Sequence, residues 1–257
     1  MFLLMNNRVI FPYRTTSDST RARIVCFPFA GGSASVFREW GALLSPLLEV
    51  CAVELPGHGQ RMAEKCGERA DTILEEVSAG LRALPSLPTF VYGHSMGALL
   101  AFELARRMEW VSGLIVSGSH APYSRPADKY KDMSESALVE QLRSFGGTPP
   151  AVFDDPMMLD LFLPPFRADL RVASSIDAQA DDNVMCPLTV LAAVDDPEVP
   201  LRDAEAWSVH ATGPFRFVRQ DGGHFFLITR RAAVLSEIAQ AVELSLAKGS
   251  TAAAART

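Results

Sequence analysis

Short apolar runs alternate with segments of helical periodicity along most of the chain. Six runs of five to seven residues predict β-strands: Arg23–Phe29, Val50–Leu55, Thr89–Gly93, Gly113–Ser117, Leu188–Val194 and Phe215–Arg219. A further strand is considered near Val9–Tyr13. Strands that are apolar on both faces are typical of a parallel sheet covered by helices on its two sides. The pattern therefore predicts an α/β fold with a mostly parallel central sheet.

The segments between these strands predict helices. They lie at roughly Val36–Leu48, Asp71–Leu84, Ala98–Met108, Leu201–His210 and Ile228–Leu246. Residues 248–257 are rich in Ala and Thr and offer little to bury, so a disordered tail is expected there. A single domain is expected over residues 1–247, because one α/β domain often reaches this length.

One stretch breaks the alternation of strand and helix. About seventy residues separate Ser117 from Leu188, and a structureless loop of that length is rare in a compact domain. Helical patterns occur instead at Ser134–Phe145, with Ser134 as N-cap and Gly146 as stop, and at Pro156–Ile176. We expect a helical lid insertion at about 121–186, since strand carboxyl ends face a ligand crevice. An ordinary pair of packing helices is the alternative.

The charge, the apolar runs and the cysteines of the chain indicate which partners and which compartment to expect. The formal net charge is −6, which argues against a nucleic-acid partner, because phosphate binding needs a basic face. No run of about 18 apolar residues is present, so we expect no membrane span. Four cysteines are scattered without a Cys-x-x-Cys pair, which favours a reduced, cytoplasmic protein.

A candidate nucleophile follows the third strand. The sequence Gly93-His94-Ser95-Met96-Gly97 leads directly into a helical run. This Gly-x-Ser-x-Gly pattern between strand and helix is typical of a turn so sharp that it projects the serine hydroxyl above the sheet. The alternative is a serine that only caps the helix. Ser95 is the candidate nucleophile.

A serine nucleophile needs a base, and the base needs an orienting acid. His224 follows the last strand within Asp221-Gly222-Gly223-His224, where the chain order serine, acid, histidine requires the base. The acid is expected at the end of the preceding strand, at Asp195 or Asp196. The residues alone do not choose between these two neighbours.

Backbone amides are expected to stabilise the oxyanion of an acyl-transfer reaction. Met96 follows the nucleophile, and Phe29, with Ala30 as the alternative, lies in the glycine-rich loop after the first strand. That loop lacks the spacing of a nucleotide-binding loop, and no metal-ligand constellation is evident. The tight turn from Leu55 to Arg61 is interpreted as structural, with His58 and Arg61 at the rim at most.

Five segments together resemble type II thioesterases of polyketide and nonribosomal-peptide synthesis. These segments are Phe27-Pro28-Phe29-Ala30-Gly31-Gly32, Leu55-Pro56-Gly57-His58-Gly59, Gly93-His94-Ser95-Met96-Gly97-Ala98, Gly222-Gly223-His224-Phe225-Phe226 and, in the insertion, Leu163-Pro164-Pro165-Phe166-Arg167-Ala168-Asp169. The resemblance extends from about Arg23 to Leu246. In the family the acid follows Gly-x-x-Asp, which implies Asp196 here, although Ala193 replaces that glycine.

The resemblance implies an α/β-hydrolase fold with a lid and the hydrolysis of acyl groups from the phosphopantetheine arm of a carrier protein. It implies the removal of stalled or aberrant units and no cofactor. Within the insertion, Met158 and Phe162 belong to an apolar segment suited to acyl chains. Arg125, Lys129, Lys131 and Arg143 are basic candidates for docking an acidic carrier.

Two other functions remain open from the sequence. The first is an esterase or peptidase that acts on free small molecules and ignores carrier proteins. The second is a non-catalytic scaffold that binds a carrier protein. The joint presence of Ser95, Asp196 and His224 argues against the scaffold, because folding does not require all three.

Overall fold

The computed structural model describes residues 10–125 and 133–254, and within them six strands form one parallel sheet. The strands are β1 (Ala22–Phe27), β2 (Leu48–Ala52), β3 (Thr89–His94), β4 (Val111–Ser117), β5 (Leu188–Ala193) and β6 (Phe215–Gln220). Their order across the sheet is β2-β1-β3-β4-β5-β6. All six strongly patterned strands are therefore confirmed, and so is the expected fold class.

Helices cover the sheet on both faces. They are α1 (Trp40–Leu44), α2 (Ala70–Arg82), α3 (Met96–Arg107), α4 (Glu135–Phe145), α5 (Pro150–Asp154), α6 (Pro156–Ser174), α7 (Leu201–Glu205), α8 (Phe226–Thr229) and α9 (Arg231–Ala254). None of the helices within residues 10–125 and 133–254 is long and apolar enough to cross a membrane.

Alternate residues of β1 supply two separate cores. Val25 and Phe27 belong to the apolar cluster that includes α2 and α3, whereas Ile24 and Cys26 belong to the cluster on the opposite face with α1 and α9. Each side chain of β1 is buried. This burial explains the continuous apolar run, because a strand between two helical layers has no solvent face.

Several element boundaries differ from the sequence-based expectation. The predicted helix Val36–Leu48 is only a 3-10 turn followed by α1, because Leu48 already begins β2. The prediction of a further strand near Val9–Tyr13 is wrong for residues 10–13, which form a turn. Val9 lies outside the described residues. The last helix continues to Ala254, past the expected end at Leu246, because alanine is the best helix former.

Three α-helices lie within the described residues 133–187, which precede β5. We name α4, α5 and α6 together the lid helices; α5 was not anticipated from the sequence. The Ser134 hydroxyl caps α4 by accepting from the Ala137 amide at 3.2 Å, and Gly146 ends this helix with φ +73°. Pro164 and Pro165 lie inside α6 and do not interrupt it, which agrees with the helical pattern expected at Pro156–Ile176.

Candidate active site

Ser95 lies at the junction of β3 and α3 in a strained backbone conformation. Its φ is +55° and its ψ −118°, and it is the one non-glycine residue with positive φ in the described part of the chain. A Cβ on Gly93 would lie 2.0 Å from the Gly97 carbonyl oxygen, and a Cβ on Gly97 would lie 2.3 Å from that of Phe27. Both glycines are thus required by close backbone contacts, which explains the motif on either side of the serine.

His224 lies between a hydroxyl and a carboxylate. Its Nε2 is 3.2 Å from Ser95 Oγ, and its Nδ1 is 2.9 Å from Asp196 Oδ2. With Nδ1–H donated to the carboxylate, Nε2 presents a lone pair to the serine hydroxyl. This arrangement can take a proton from Ser95 and stabilise the imidazolium that results.

The two neighbouring acids occupy different environments. Asp196 is 8% exposed, and its Oδ1 accepts from the backbone amides of Glu198 at 2.9 Å and Val199 at 3.2 Å. Asp195 is exposed, and its amide donates to the Gly222 carbonyl. The carboxylate beside His224 is therefore that of Asp196, which the sequence alone could not distinguish from Asp195.

The loop after β1 approaches the serine. The amides of Gly31 and Gly32 already donate, to Asp169 Oδ2 at 2.7 Å and to the Phe29 carbonyl at 2.9 Å. Ala30 lines the cavity at Ser95, as does Met96, the first residue of α3. The Phe29 ring packs against Phe225 with ring centroids 4.8 Å apart. Phe29 and Ala30 therefore both remain candidate amide donors to an oxyanion, with Met96 as the second donor.

A small apolar cavity of about 70 Å³ adjoins Ser95. Leu99, Leu170 and Phe145 are among its lining residues. The ring of Phe145, at the end of α4, stacks on that of His224 with centroids 5.4 Å apart and planes inclined by 14°. The lid helices thus cover the histidine directly, a contact that no sequence pattern indicated.

A second cavity of about 210 Å³ extends from the same region. It shares Ala30 and Phe145 with the cavity at Ser95 and is also lined by Phe162. Met158 lines neither of these two cavities and is 44% exposed. Of the two apolar lid residues singled out from the sequence, Phe162 is the one that lies near the candidate site.

Two other histidines, His94 and His58, are also buried. His94 lies beneath the site, with its ring 5.2 Å from that of His224 and its Nδ1 2.8 Å from Ser117 Oγ. Burial and the neighbouring His224 hold the pKa of His94 well below its usual range, so it stays neutral. His58 is 5% exposed, and Arg61 is 6% exposed. The interpretation of His58 and Arg61 as rim residues is therefore wrong.

Of the four basic docking candidates in the insertion, the two that the structure describes, Arg125 and Arg143, make different contacts. Arg125 donates to the Ile176 carbonyl and lines the Ser95 cavity, and the Arg143 guanidinium lies 4.2 Å from the Phe153 ring centroid. Lys129 and Lys131 lie outside the described residues. In the part of the chain that the structure describes, no group of three or more His, Cys, Asp or Glu side chains could hold a metal ion.

Comparison with known proteins places these observations in a family. Residues 22–242 match the family model described as the thioesterase domain. The chain is 37% identical over 230 residues to a probable cadicidin biosynthesis thioesterase of Streptomyces griseus, which covers 88% of this chain and 64% of that protein. It is 34% identical over 243 residues to the gramicidin S biosynthesis protein GrsT of Aneurinibacillus migulanus, covering 92% and 95% respectively.

A solved structure agrees with these sequence matches. The type II thioesterase BorB from the borrelidin biosynthetic cluster superimposes with a TM-score of 0.79 at 38% identity. The match covers 89% of this chain and 95% of BorB. The similarity thus extends over most of the length of both chains.

Proposed function

The chain belongs to the thioesterase family and resembles its type II members, and from this premise we propose that it hydrolyses acyl groups carried on the phosphopantetheine arm of an acyl or peptidyl carrier protein. Its role would be to clear stalled or aberrant acyl units from a biosynthetic assembly. The single observation that carries the proposal is the contact of His224 with both Ser95 Oγ and Asp196 Oδ2.

In the proposed mechanism, Ser95 Oγ attacks the thioester carbonyl carbon while His224 Nε2 takes the hydroxyl proton. Asp196 holds Nδ1–H and stabilises the imidazolium. The negative oxygen of the tetrahedral intermediate is held by the amides of Met96 and Phe29, with Ala30 as the alternative to Phe29.

The second half of the reaction releases both products. The C–S bond breaks, and His224 returns its proton to the leaving thiol of pantetheine, which leaves an ester on Ser95. A water molecule then gives a proton to His224 and attacks the ester carbonyl. The C–O bond to Ser95 breaks, the serine recovers its proton from His224, and the acyl group leaves as a carboxylic acid.

The size of the Ser95 cavity supports a short acyl group as the substrate of this lid conformation. Its volume of about 70 Å³ is roughly half that of an engineered apolar cavity of about 150 Å³ that binds benzene. A longer chain would need the second cavity, which is lined by Phe162 and shares Phe145 with the first. We therefore assign the lid helices a gating role.

Turnover of matched substrates tests the proposal. We expect a higher kcat/KM for an acyl group on a carrier protein than for the same acyl group on coenzyme A or on N-acetylcysteamine. Equal values would refute carrier recognition and favour an esterase acting on free small molecules.

A variant with the nucleophile removed controls this experiment. Ser95→Ala should abolish turnover of both kinds of substrate while it leaves the fold intact, because Ser95 is only half-buried. Binding of the carrier protein without turnover by the unmodified chain would favour the scaffold function instead.

A further inference from the structure

A buried ionic contact connects the lid to the loop that approaches Ser95. Asp169 lies on α6 and is 1% exposed. Its Oδ2 accepts from the Gly31 amide at 2.7 Å and lies 3.0 Å from His58 Nε2. One carboxylate oxygen therefore joins three segments that are distant in sequence: the lid, the loop after β1 and the turn after β2.

The two ring nitrogens of His58 both face acceptor oxygens. Nδ1 is 3.1 Å from the Pro56 carbonyl oxygen, and Nε2 faces the Asp169 carboxylate. A carbonyl oxygen and a carboxylate can only accept, so a hydrogen on each nitrogen satisfies the ring. The contacts thus favour the imidazolium form of His58.

The charged surroundings of His58 agree with this protonation state. Burial lowers the pKa of His58, but the hydrogen bond and charge of Asp169, the Pro56 carbonyl and the charge of Glu54 together raise it above its usual value. Two further groups lie nearby: Cys66 interacts with the charge of Asp169, and Arg61 donates to the Glu54 carbonyl. The cluster therefore pairs His58 with Asp169 as a cation with an anion.

The Gly31 amide fixes the shape of a tight turn. The Gly32 amide donates to the Phe29 carbonyl at 2.9 Å, and Gly31 has φ +77°. Positive φ at the third position is characteristic of a type II turn, which differs from type I by rotation of its central peptide. The acceptor at Asp169 holds the Gly31 N–H in the type II orientation, and this same turn contains both candidate oxyanion donors, Phe29 and Ala30.

A second buried carboxylate holds the far end of this loop. Glu54, which is 1% exposed, accepts from the Ala34 amide at 2.9 Å through Oε1 and from the Gln60 amide at 3.2 Å through Oε2. Glu54 belongs to the body of the fold, whereas Asp169 belongs to the lid. Only the Gly31 end of the loop therefore depends on where α6 lies.

We propose that Asp169, held by His58, is a positioning residue that sets the oxyanion loop for catalysis when the lid helix α6 is docked. The inference rests on the proposed function, because it needs an oxyanion at Ser95. It couples the lid to the chemistry itself as well as to substrate access. Asp169 acts through the Gly31 amide and has no contact with the reacting atoms.

Steady-state kinetics with one short acyl thioester tests this role. Asp169→Ala should lower kcat by about 10- to 100-fold, less than the 10²–10³-fold lost when an oxyanion donor is removed outright, because the donor is misaligned and still present. KM should change by less than about twofold, since the missing interaction acts in the transition state. Asp169→Asn should recover part of kcat, because its amide oxygen can still accept from Gly31.

A matched control lies on the same helix. Asp160 is an exposed carboxylate of α6, and Asp160→Asn should keep wild-type kcat and KM. Thermal unfolding is measured for every variant, because a purely structural Asp169 would lower the melting temperature and leave the kcat of folded enzyme unchanged. A lowered melting temperature with an unchanged kcat in Asp169→Ala would overturn the inference.

His58→Gln provides an independent variant if Asp169→Ala fails to fold. It removes the cation without changing any residue of the lid or of the loop after β1. We expect kcat to fall less than in Asp169→Ala, with KM unchanged. Unchanged kcat in both His58→Gln and Asp169→Asn would overturn the inference. Failure of the proposed function is recognised separately, by a wild-type enzyme that turns over no acyl thioester at all.

Discussion

Two buried histidine–aspartate pairs can be compared within this molecule. His224 and Asp196 are joined at 2.9 Å beside Ser95, and His58 and Asp169 are joined at 3.0 Å between the lid and the turn after β2. All four side chains are less than a tenth exposed. Residue type, distance and burial are thus nearly the same in both pairs, and none of these explains why one would be catalytic.

The two pairs differ in the group that faces the second ring nitrogen of each histidine. In His224 that nitrogen faces the Ser95 hydroxyl, which can donate a proton, whereas in His58 it faces the Pro56 carbonyl, which can only accept. The contacts of His224 therefore allow it to accept a proton from Ser95, whereas those of His58 favour its imidazolium form. A histidine–aspartate pair becomes a general base only where its free nitrogen meets a group that has a proton to give.

Substitution of the two neighbouring acids gives the largest expected contrast. Asp196→Asn should lower kcat by about 10⁴-fold, because an amide favours the wrong tautomer of His224. Asp195→Asn should remain close to wild type, since Asp195 is exposed and contributes its backbone amide to the Gly222 carbonyl. Steady-state kinetics on one short acyl thioester measures both, and a larger loss in Asp195→Asn would show that the acid is misassigned.

The same substitution in the second pair sharpens the comparison. Asp169→Asn also neutralises the partner of a buried histidine, yet its effect on kcat should be far smaller than that of Asp196→Asn. Similar losses in the two variants would mean that the comparison of the two pairs is wrong.

The lid helix α6 allows positioning to be separated from size selection, because it carries both Asp169 and Phe162. Phe162→Ala should raise kcat/KM for longer acyl chains relative to short ones by several-fold to about tenfold, since it enlarges the second cavity. Asp169→Ala should lower kcat for all chain lengths alike. A series of acyl thioesters of increasing length measures both effects.

Met158 is the matched control for Phe162 on the same helix. It is exposed and lines neither cavity, so Met158→Ala should leave the chain-length preference unchanged. An unchanged preference in Phe162→Ala, at unchanged stability, would argue against a gating lid.

The smallest expected effect is the pH dependence of stability. Because the pKa of His58 is raised in the folded state, its contribution is complete below its unfolded pKa of about 6.5 and is lost as pH rises through the folded value. The free energy of unfolding should therefore fall with rising pH in this range, and less steeply in His58→Gln. Denaturant unfolding at a series of pH values measures this difference, and parallel curves would contradict the ion pair.

The candidate site around Ser95 was far more predictable from the sequence than the pair His58–Asp169. Ser95 and His224 stand in local patterns whose glycines the backbone requires, and their chain order restricts the role of each. The choice between Asp195 and Asp196 needed the resemblance, because the two acids are adjacent after the same apolar run and the residues alone do not choose between them.

The pair His58–Asp169 depends on contacts that no local pattern encodes. His58 lies in a turn and Asp169 lies 111 residues further along the chain, so only the packing of α6 brings them together. The stacking of Phe145 on His224 has the same origin. The positions of β1 and β3 to β5 were predictable because burial on both faces leaves a nearly continuous apolar run, whereas lid contacts between distant segments leave no such pattern.

Labelling by a fluorophosphonate, with peptide mass spectrometry and a parallel assay of thioester turnover, tests the central claim most directly. We expect one phosphonyl group per chain on the peptide that contains Ser95, loss of turnover in proportion to labelling, and no labelling of Ser95→Ala. Stoichiometric modification of another residue, or turnover that survives complete labelling of Ser95, would contradict the assignment of Ser95 as the nucleophile.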